Sequence, residues 1–321
     1  MKNREKIIQL LSERSYKASD LAKELNISTQ ATHRHLRTLV KEGALVRQGT
    51  PPYTKYRLSQ NYIPSLVKYT FVHFKNFLWK EVREEYKGIR RKKKDALSLD
   101  FDFLLSKSAL FSSKIEGNTL NLNSFLSSTT SRKKEHQEIE DLVSAYREAQ
   151  GRILNQKNMF FIHKILSRHI LIASKRGKYR DEAIGVFSDE GLVYLAIEHT
   201  HLQREMDTFF KVIGILRSSV MSFKESIFWA SWIHLMFVLI HPFADGNGRM
   251  ARLMEKWFLA EKNGDMLWYE NTEQFYFSHR GEYYKLLNLG VNYWESDIEK
   301  AKDFVDFVFK AILENDSSHK K

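Results

Sequence analysis

Residues 241–252 bring together most of the side chains in this sequence that could act on a phosphate. The stretch HPFADGNGRMAR holds a histidine, a carboxylate, an asparagine between two glycines and two arginines. It lies between the apolar run 227–240 and a second helical pattern, which predicts a helix-to-helix turn. Gly246, Asn247 and Gly248 can present backbone N–H groups at the start of the second helix, where an anion is favoured.

The side chains beside this turn are of the types that bind and activate nucleotides. Arg249 and Arg252 are three residues apart, so both can reach an anion from one helix face. Asp245 offers one hard oxygen ligand, which is what Mg²⁺ bridging nucleotide phosphates usually needs from a protein. His241 can take a proton from an attacking hydroxyl at neutral pH. An ordinary surface turn would explain the GNG sequence but leaves these neighbours unexplained.

At these residues the chain resembles the Fic family, whose signature HPFx(D/E)GNGRxxR is matched at every fixed position. The resemblance implies a mostly helical domain that transfers AMP from Mg-ATP to a Ser, Thr or Tyr hydroxyl of a target protein. By position it implies His241 as the base and Asp245 as the Mg²⁺ ligand. It implies contacts to the ATP phosphates from Gly246, Asn247, Gly248, Arg249 and Arg252.

A second pattern of the same family, (S/T)xxxE(G/N), matches upstream with Ser112 and Glu116 at its fixed positions. The two residues are four apart and share one face of a predicted helix that Gly117 would end. Taken alone the pattern is weak, and a solvated Glu near a helix end explains it. The resemblance implies that Ser112 and Glu116 form an inhibitory motif, in which Glu116 pairs with Arg252 where the γ-phosphate would lie.

Residues 177–199 contain the clear hairpin pattern of the chain, with two short apolar runs around the turn-rich segment 188–191. Family members carry a similar flap, which would hold a target segment by strand addition. A purely structural hairpin is the alternative. The resemblance places Val193 and Tyr194 of this hairpin at the ATP site.

Further along the chain, Tyr283 resembles a family position that lines the adenosine pocket. The same tyrosine, with its neighbour Tyr284, also fits a core aromatic at helical spacing. Val291 stands where relatives often have an asparagine, so the contacts to adenine stay open.

Residues 1–60 have the pattern of a winged helix-turn-helix. They carry 12 Lys plus Arg against 5 Asp plus Glu, a net charge of +7, which leaves +5 of the whole-chain +12 for the other 261 residues. The spacing predicts a first helix over 4–12, a second capped by Ser19 and ended by Asn26, and a third from Ser28 to about residue 41. Two strands around a proline-containing tip would form the wing.

The predicted third helix carries residues that suit a nucleic-acid surface. Leu36, Leu39 and Val40 would face inward. The outward side chains are of the kinds that contact base edges and phosphates: Gln30, His33, Arg34 and Arg37. Contact with DNA is the favoured interpretation, and a protein-interaction or dimer module is the alternative.

Composition is consistent with a two-part, mainly α protein. The 321 residues are 43% hydrophobic with no cysteine, which favours a cytoplasmic protein without disulfides. Residues 227–243 are too short for a typical membrane span, so we expect a buried helix and no membrane partner. The predicted organisation is a small winged-helix domain over 1–60, connector helices over 61–110, and a Fic-type helical domain with a hairpin flap over 111–321.

Three functional classes fit this sequence. The first is an autoinhibited adenylyltransferase attached to a DNA-binding module. The second is a nucleotide-sensing transcription regulator in which the Fic-like part mainly binds ATP. The third is a related enzyme that uses another nucleotide or removes AMP. A homodimer is compatible with each of them.

Overall fold

The computed structural model describes residues 3, 6, 7, 10, 11, 14–41, 44–59, 65–86, 100–127, 133–188 and 191–317. The chain divides into two compact units, Met1–Ser65 and Leu66–Lys321. Each unit has its own cluster of buried apolar side chains. The described residues are mainly helical, with two small hairpins, which confirms the predicted fold class.

The first unit has the helix-turn-helix and wing predicted from the sequence. It contains α1 (Ala18–Leu25), α2 (Thr29–Lys41), β1 (Leu45–Gln48) and β2 (Lys55–Leu58). Asn26 ends α1 in the left-handed conformation, with φ of 52°. The Ser28 hydroxyl accepts a hydrogen bond from the Ala31 amide at 3.2 Å, so it caps α2 as expected. The strands β1 and β2 pair antiparallel.

Three details of this unit differ from the prediction or lie outside the described residues. Helix α1 begins one residue before Ser19, and its N-cap Lys17 makes no side-chain cap bond. Val40, which was predicted to face inward, has 36% of its surface exposed. Thr32 of the same helix is fully buried. The predicted first helix over 4–12 lies largely outside the described residues, among which Ile7 and Leu11 are buried.

The second unit is an assembly of helices with one hairpin. Its helices up to the hairpin are α3 (Leu66–His73), a π-helix (Phe74–Leu78), α4 (Trp79–Glu85), α5 (Phe101–Ile115), α6 (Leu122–Ser127), α7 (Lys134–Ala149), α8 (Gln156–Leu166) and a 3₁₀ helix (Ala173–Lys175). The hairpin is β3 (Gly185–Ser188) and β4 (Gly191–Leu195). After it come α9 (His199–Ser218), α10 (Phe223–Ile240), α11 (Asn247–Asn263), 3₁₀ helix Asp265–Tyr269, α12 (Thr272–Ser278), α13 (Arg280–Leu287), 3₁₀ helix Ile298–Lys300 and α14 (Ala301–Ser317).

Helix α10 forms the centre of the second unit. It is apolar on all sides, because nearly every residue from Ser226 to Ile240 is buried, and it packs against α11 and α14. The Ser222 hydroxyl caps it by accepting from the Glu225 amide. By length and composition this helix could cross a membrane, but 78% of it is buried inside the unit. The expectation of a buried core helix is therefore confirmed.

The segment 66–86 within the predicted connector is not one continuous α-helix. Residues Phe74–Leu78 form a π-helical turn between α3 and α4. Such a turn widens the backbone locally, and Phe74 and Leu78 are both buried there. The spacing of aromatic residues in the sequence did not distinguish the π turn from a continuous α-helix.

The outward position of Val40 and the buried position of Leu36 can be compared directly. We expect Leu36→Ala to lower the unfolding free energy of the first unit by about 2–5 kcal/mol, because a fully buried side chain leaves a cavity. Val40→Ala should cost less than about 1 kcal/mol. Native-state hydrogen exchange of the α2 amides in the full chain measures both. Equal costs would contradict the observed burial.

Candidate active site

Most of the site residues predicted in the second unit line one cavity of about 1220 Å³. The end of α10, the start of α11, the hairpin and α13 contribute to its walls. Eight predicted site residues line it: Glu116, Val193, Tyr194, His241, Asp245, Gly248, Arg252 and Tyr283. The structure therefore places residues from four distant parts of the sequence around one space.

His241 follows the last residue of α10 in the left-handed conformation, with φ of 52°, which is uncommon for a non-glycine residue. Its Nδ1 lies 3.1 Å from the Val238 carbonyl oxygen. A carbonyl can only accept, so Nδ1 carries the proton and Nε2 has a free lone pair. Burial lowers the pKa of His241, although the bond to Val238 opposes this. The imidazole is therefore neutral at pH 7 and can act as a base.

The turn after His241 is fixed by buried hydrogen bonds from Asn247 and Arg180. The Asn247 side chain accepts from the Phe243 amide at 2.9 Å and donates to the Phe243 carbonyl at 2.8 Å. Arg180 donates from Nε to the His241 carbonyl at 2.8 Å, and its amide donates to the Pro242 carbonyl. The backbone that carries His241 is thus held rigidly.

His163 supports the same turn from below. Its Nδ1 accepts from the Gly177 amide at 3.0 Å, so its Nε2 carries the proton and donates to the Asp245 carbonyl at 3.0 Å. The ring stacks on Phe243, with centroids 3.5 Å apart. Gly177 has no room for a side chain, since a Cβ would lie 2.6 Å from the Phe160 carbonyl oxygen. This close approach explains why position 177 holds a glycine.

Helix α11 begins at the cavity. Gly246 precedes it with φ of 80°, and the Asp245 carboxylate accepts from the Gly246 amide at 2.6 Å. Amides in the first turn of a helix have no intrahelical acceptor, so this end favours an anion. Glu116 lies against it, because a Cβ added to Gly248 would be 2.4 Å from the Glu116 Oε1. A carboxylate of the chain thus stands at the anion position.

Glu116 and Arg252 form an ion pair beneath this position. Arg252 Nη2 donates to Glu116 Oε1 at 2.7 Å, and the guanidinium is almost completely buried. Burial alone would raise the pKa of the Glu116 carboxyl, but the attraction to Arg252 and its hydrogen bond outweigh burial and lower it. Helix α5 ends at Ile115, so Glu116 is its C-cap and Gly117 follows with φ of 98°.

Ser112 contacts Arg252 through both its hydroxyl and its carbonyl group. Its hydroxyl accepts from Arg252 Nε and its carbonyl accepts from Arg252 Nη2, both at 2.9 Å. It does not line the cavity. The geometry gives Ser112 a supporting contact to Arg252, whereas Glu116 is the residue at the cavity surface.

Three other predicted residues also lie off the cavity wall: Gly246, Asn247 and Arg249. Arg249 is buried and its Nη2 donates to Glu138 Oε2 on α7 at 3.0 Å. Its Nε and Nη1 have no hydrogen-bond partner within the described part of the chain. Buried donors of a guanidinium are rarely left unpaired, so these two nitrogens are free for a further acceptor.

The hairpin and α13 close the cavity on the other side. Tyr194 is buried and its hydroxyl donates to the Leu239 carbonyl at 2.7 Å, which fastens β4 to α10. Tyr283 is buried too, and its hydroxyl accepts from Arg252 Nη1 at 3.1 Å. Asn288 also lines the cavity, whereas the carbonyl of Val291 accepts from the Leu195 amide.

Several residues of the site were not predicted. His163 and Glu138 support the motif from other helices, His234 of α10 is bonded to Glu255 of α11, and Arg280 and Lys285 of α13 line the cavity. Their sequence neighbourhoods carry no pattern that connects them to residues 241–252. Only the tertiary packing brings them to the site.

In the first unit, the four predicted DNA-contacting residues lie on one face of α2. Gln30, His33, Arg34 and Arg37 are all exposed, as are Arg47 and Lys55 of the wing. The unit therefore presents a basic helix face and a basic wing to solvent.

Comparisons with known proteins match both units. Residues 153–259 match the Fic/DOC family, and residues 2–46 match the family described as bacterial regulatory protein, arsR family. No curated protein sequence matches the chain.

Solved structures share the fold at low sequence identity. A Fic family protein from Desulfovibrio desulfuricans is 20% identical with a TM-score of 0.60, covering 85% of this chain and 78% of its own. A Fic domain containing signaling protein from Bacteroides thetaiotaomicron is 18% identical with a TM-score of 0.54, covering 78% and 94%. Fic-1 (residues 134–508) from C. elegans is 17% identical with a TM-score of 0.51, covering 79% and 73%.

The rigidity of the turn can be tested at Asn247. We expect Asn247→Ala to lower the unfolding free energy of the second unit by about 2–4 kcal/mol, because two buried groups of Phe243 lose their partners. The exposed Asn123→Ala is the matched control and should change it by less than about 0.5 kcal/mol. Urea unfolding followed by tryptophan fluorescence reports this unit alone, since all six tryptophans lie in it. A cost no larger than the control's would show that these bonds do not hold the turn.

Proposed function

Because the chain carries a domain of the Fic/DOC family and an arsR-type helix-turn-helix segment, we propose that it is an autoinhibited protein adenylyltransferase with a DNA-binding module. One observation carries the enzymatic part of this proposal. The free Nε2 of His241 and the guanidinium of Arg252 belong to the same cavity, with the start of α11 between them in sequence. A base and an anion receptor around one space are what nucleotidyl transfer requires.

The proposed reaction moves AMP from ATP to a hydroxyl of a target protein. The hydroxyl oxygen attacks the α-phosphorus, a new P–O bond forms, and the bond between the α-phosphorus and the α,β-bridging oxygen breaks. Pyrophosphate leaves with the bond electrons. His241 Nε2 takes the hydroxyl proton, for which its lowered pKa keeps it available at neutral pH.

The phosphates would be held by backbone and guanidinium groups. The amides at the start of α11 favour negative charge, and Gly248 leaves the space that a side chain would fill. Arg252 supplies a buried positive charge at the cavity. Arg249 does not line the cavity and its two unpaired nitrogens are buried, so it would contact a phosphate only after its side chain moves. We assign both arginines to the outer phosphates.

The residues fit a magnesium ion that arrives with the nucleotide. Within the described residues, no group of three or more His, Cys, Asp or Glu side chains could hold a metal by itself. Asp245 is exposed and lines the cavity, so it offers the one carboxylate that Mg²⁺ held mainly by phosphates and water needs. The ion would neutralise phosphate charge during transfer.

Glu116 would restrain the activity by occupying part of the nucleotide site. Its carboxylate lies at Gly248 and is paired with Arg252, so both elements assigned to the phosphates are engaged. A phosphate group placed there would meet a like charge. ATP could therefore bind productively only after Glu116 leaves Arg252.

The hairpin would receive the target segment. Val193 and Tyr194 line the cavity, while Phe187, Leu192 and Leu195 of the same hairpin are exposed and apolar. An extended segment added along such a strand would gain backbone hydrogen bonds and few side-chain contacts. This arrangement would place a target hydroxyl near His241 with little demand on target sequence.

A nucleotide-sensing regulator is the second candidate, because the arsR-type match is to a family of regulatory proteins. In that function the second unit would bind ATP, and the first unit would give the output on DNA. A sensor needs no base, so the neutral Nε2 of His241 in the cavity favours transfer. Use of another nucleotide, or removal of AMP, would employ the same residues.

Transfer and its restraint can be tested together with ATP labelled at the α-phosphate. We expect Glu116→Gly to increase incorporation of label into protein by about tenfold or more, because a charged, partly buried hydrogen bond no longer opposes ATP. His241→Ala in that background should lower the rate by about 10²–10⁴-fold. Glu116→Gln keeps the size of the side chain without its charge and should be intermediate.

The outcomes separate the candidate functions. Equal rates for wild type and Glu116→Gly would remove the inhibitory role. Bound ATP without incorporated label in Glu116→Gly would favour the nucleotide sensor. Preferred incorporation from labelled UTP or CTP, or release of AMP from labelled protein, would identify the alternative chemistry.

DNA binding is tested on the exposed face of α2. We expect the double variant Arg34→Ala, Arg37→Ala to weaken binding to duplex DNA and to reduce the slope of log affinity against log salt concentration by about 2, one for each lost phosphate contact. Fluorescence anisotropy with a labelled duplex over a salt series measures both. The control is the double variant Lys75→Ala, Lys80→Ala, which removes the same amount of positive charge from exposed positions of the second unit. Wild-type binding by the Arg34, Arg37 variant would exclude this face.

A further inference from the structure

A buried polar cluster lies beneath Arg252 and is not used by the proposed chemistry. It joins α11 to α5, α7, α10, α12 and α13. Its members, apart from Arg252 itself, are Ser112, Tyr146, His234, Glu255, Glu273, Tyr276 and Tyr283, all with at most 1% of their surface exposed. Apolar side chains of similar size would fill this space at a lower desolvation cost. The cluster therefore calls for a reason other than packing.

One path through the cluster runs from Arg252 to a carboxylate on its own helix. Arg252 Nη1 donates to the Tyr283 hydroxyl at 3.1 Å, and this hydroxyl lies 2.9 Å from His234 Nε2. His234 Nδ1 lies 2.5 Å from Glu255 Oε2. The other carboxylate oxygen accepts from the Tyr276 hydroxyl at 2.8 Å.

The directions of these bonds are fixed by the available protons. Arg252 can only donate, so the Tyr283 hydroxyl oxygen accepts from it and the hydroxyl donates to His234 Nε2. With Nε2 as the acceptor, Nδ1–H of His234 donates to the Glu255 carboxylate. The path has the Arg252 guanidinium at one end and the Glu255 carboxylate at the other, and each group between them has a hydrogen-bond partner on both sides. The Tyr283 hydroxyl therefore has one orientation in this path.

A second path holds the opposite side of the guanidinium. Arg252 Nε donates to the Ser112 hydroxyl at 2.9 Å. Tyr146 donates to Glu273 Oε1 at 2.7 Å, and Lys256 Nζ lies 2.9 Å from Glu273 Oε2. Arg252 thus has fixed partners at Ser112 and Tyr283 in addition to Glu116. Removal of Glu116 alone leaves these partners in place.

We propose that His234 and Glu255 are positioning residues, which act through Tyr283 to hold the Arg252 guanidinium in its orientation for the outer phosphates of the nucleotide. This inference rests on the proposed function, because it assigns Arg252 to those phosphates. Neither His234 nor Glu255 lines the cavity. Their influence on the nucleotide therefore passes through Tyr283 and Arg252.

The proposal predicts a selective defect in binding of the triphosphate. In the Glu116→Gly background, we expect His234→Leu to weaken ATP binding by about tenfold, because the Tyr283 hydroxyl loses its acceptor and no longer fixes the orientation of Arg252. AMP lacks the outer phosphates, so its affinity should change by less than about twofold. Isothermal titration calorimetry with ATP and with AMP gives the ratio of the two affinities.

Three variants distinguish positioning from general stability. His234→Gln can accept from Tyr283 and donate to Glu255, so it should restore most of the ratio. Tyr276→Phe removes the other hydroxyl bonded to Glu255 and leaves the path to Arg252 intact, so the ratio should stay unchanged. In an Arg252→Ala background, His234→Leu should have no further effect on the ratio. If His234→Leu does not fold, Tyr283→Phe interrupts the same path.

The results separate failure of this inference from failure of the proposed function. Equal weakening of ATP and AMP binding by His234→Leu, or an undiminished effect without Arg252, would overturn the positioning role while leaving a nucleotide site. If neither nucleotide bound any variant, the proposed function would be wrong and this inference with it.

Discussion

The candidate site depends on keeping one guanidinium charged inside the protein. Arg252 is 2% exposed, and taking such a group out of water costs several kcal/mol unless its donors are paired. The structure pairs them with Ser112 of α5, with Glu116, which follows α5, and with Tyr283 of α13. Because these partners belong to different helices, the positions of α5 and α13 relative to α11 are tied to the state of this charge.

The turn before α11 is also stabilised by buried hydrogen bonds. His241 has a positive φ and lies in the short loop between α10 and α11. This loop must keep one conformation although it is part of no helix or strand. The Asn247 side chain, Arg180 and His163 supply the hydrogen bonds that a helix or sheet would otherwise provide. His241 is thus held through its backbone, whereas Arg252 is held through hydrogen bonds to its own guanidinium. A movement of the Arg252 guanidinium therefore need not displace His241.

Local sequence was sufficient where neighbouring residues decide the structure. Asn26 and Ser28 delimit the helices of the first unit, and the apolar run before residue 241 forms a buried helix, as the sequence predicted. The motif 241–252 indicated its family because its residue types are unusual together. Val40 was wrongly placed inside because its spacing fits both the inner face of α2 and its edge, and only the packed partner decides between them.

Contacts between distant helices could not be predicted in the same way. His163 supports the turn from 82 residues away, and Glu138 holds Arg249 from 111 residues away. Nothing in the spacing around either residue indicates a partner, because a buried histidine or glutamate has the same local pattern whichever helix it faces. The predicted roles of Arg249, Ser112 and the hairpin stay predictions, since geometry gives their positions and not their ligands.

The end of α5 has a consequence for how the proposed inhibition by Glu116 would be relieved. Glu116 is the residue after the last helical turn, and Gly117 beside it has a positive φ and open space around it. Its carboxylate is joined to Arg252 through a flexible side chain with 30% of its surface exposed. Rotation about two or three side-chain bonds is enough to carry it away from α11. Opening would then be a local, fast event on the time scale of surface side chains, with every helix of the unit still wound.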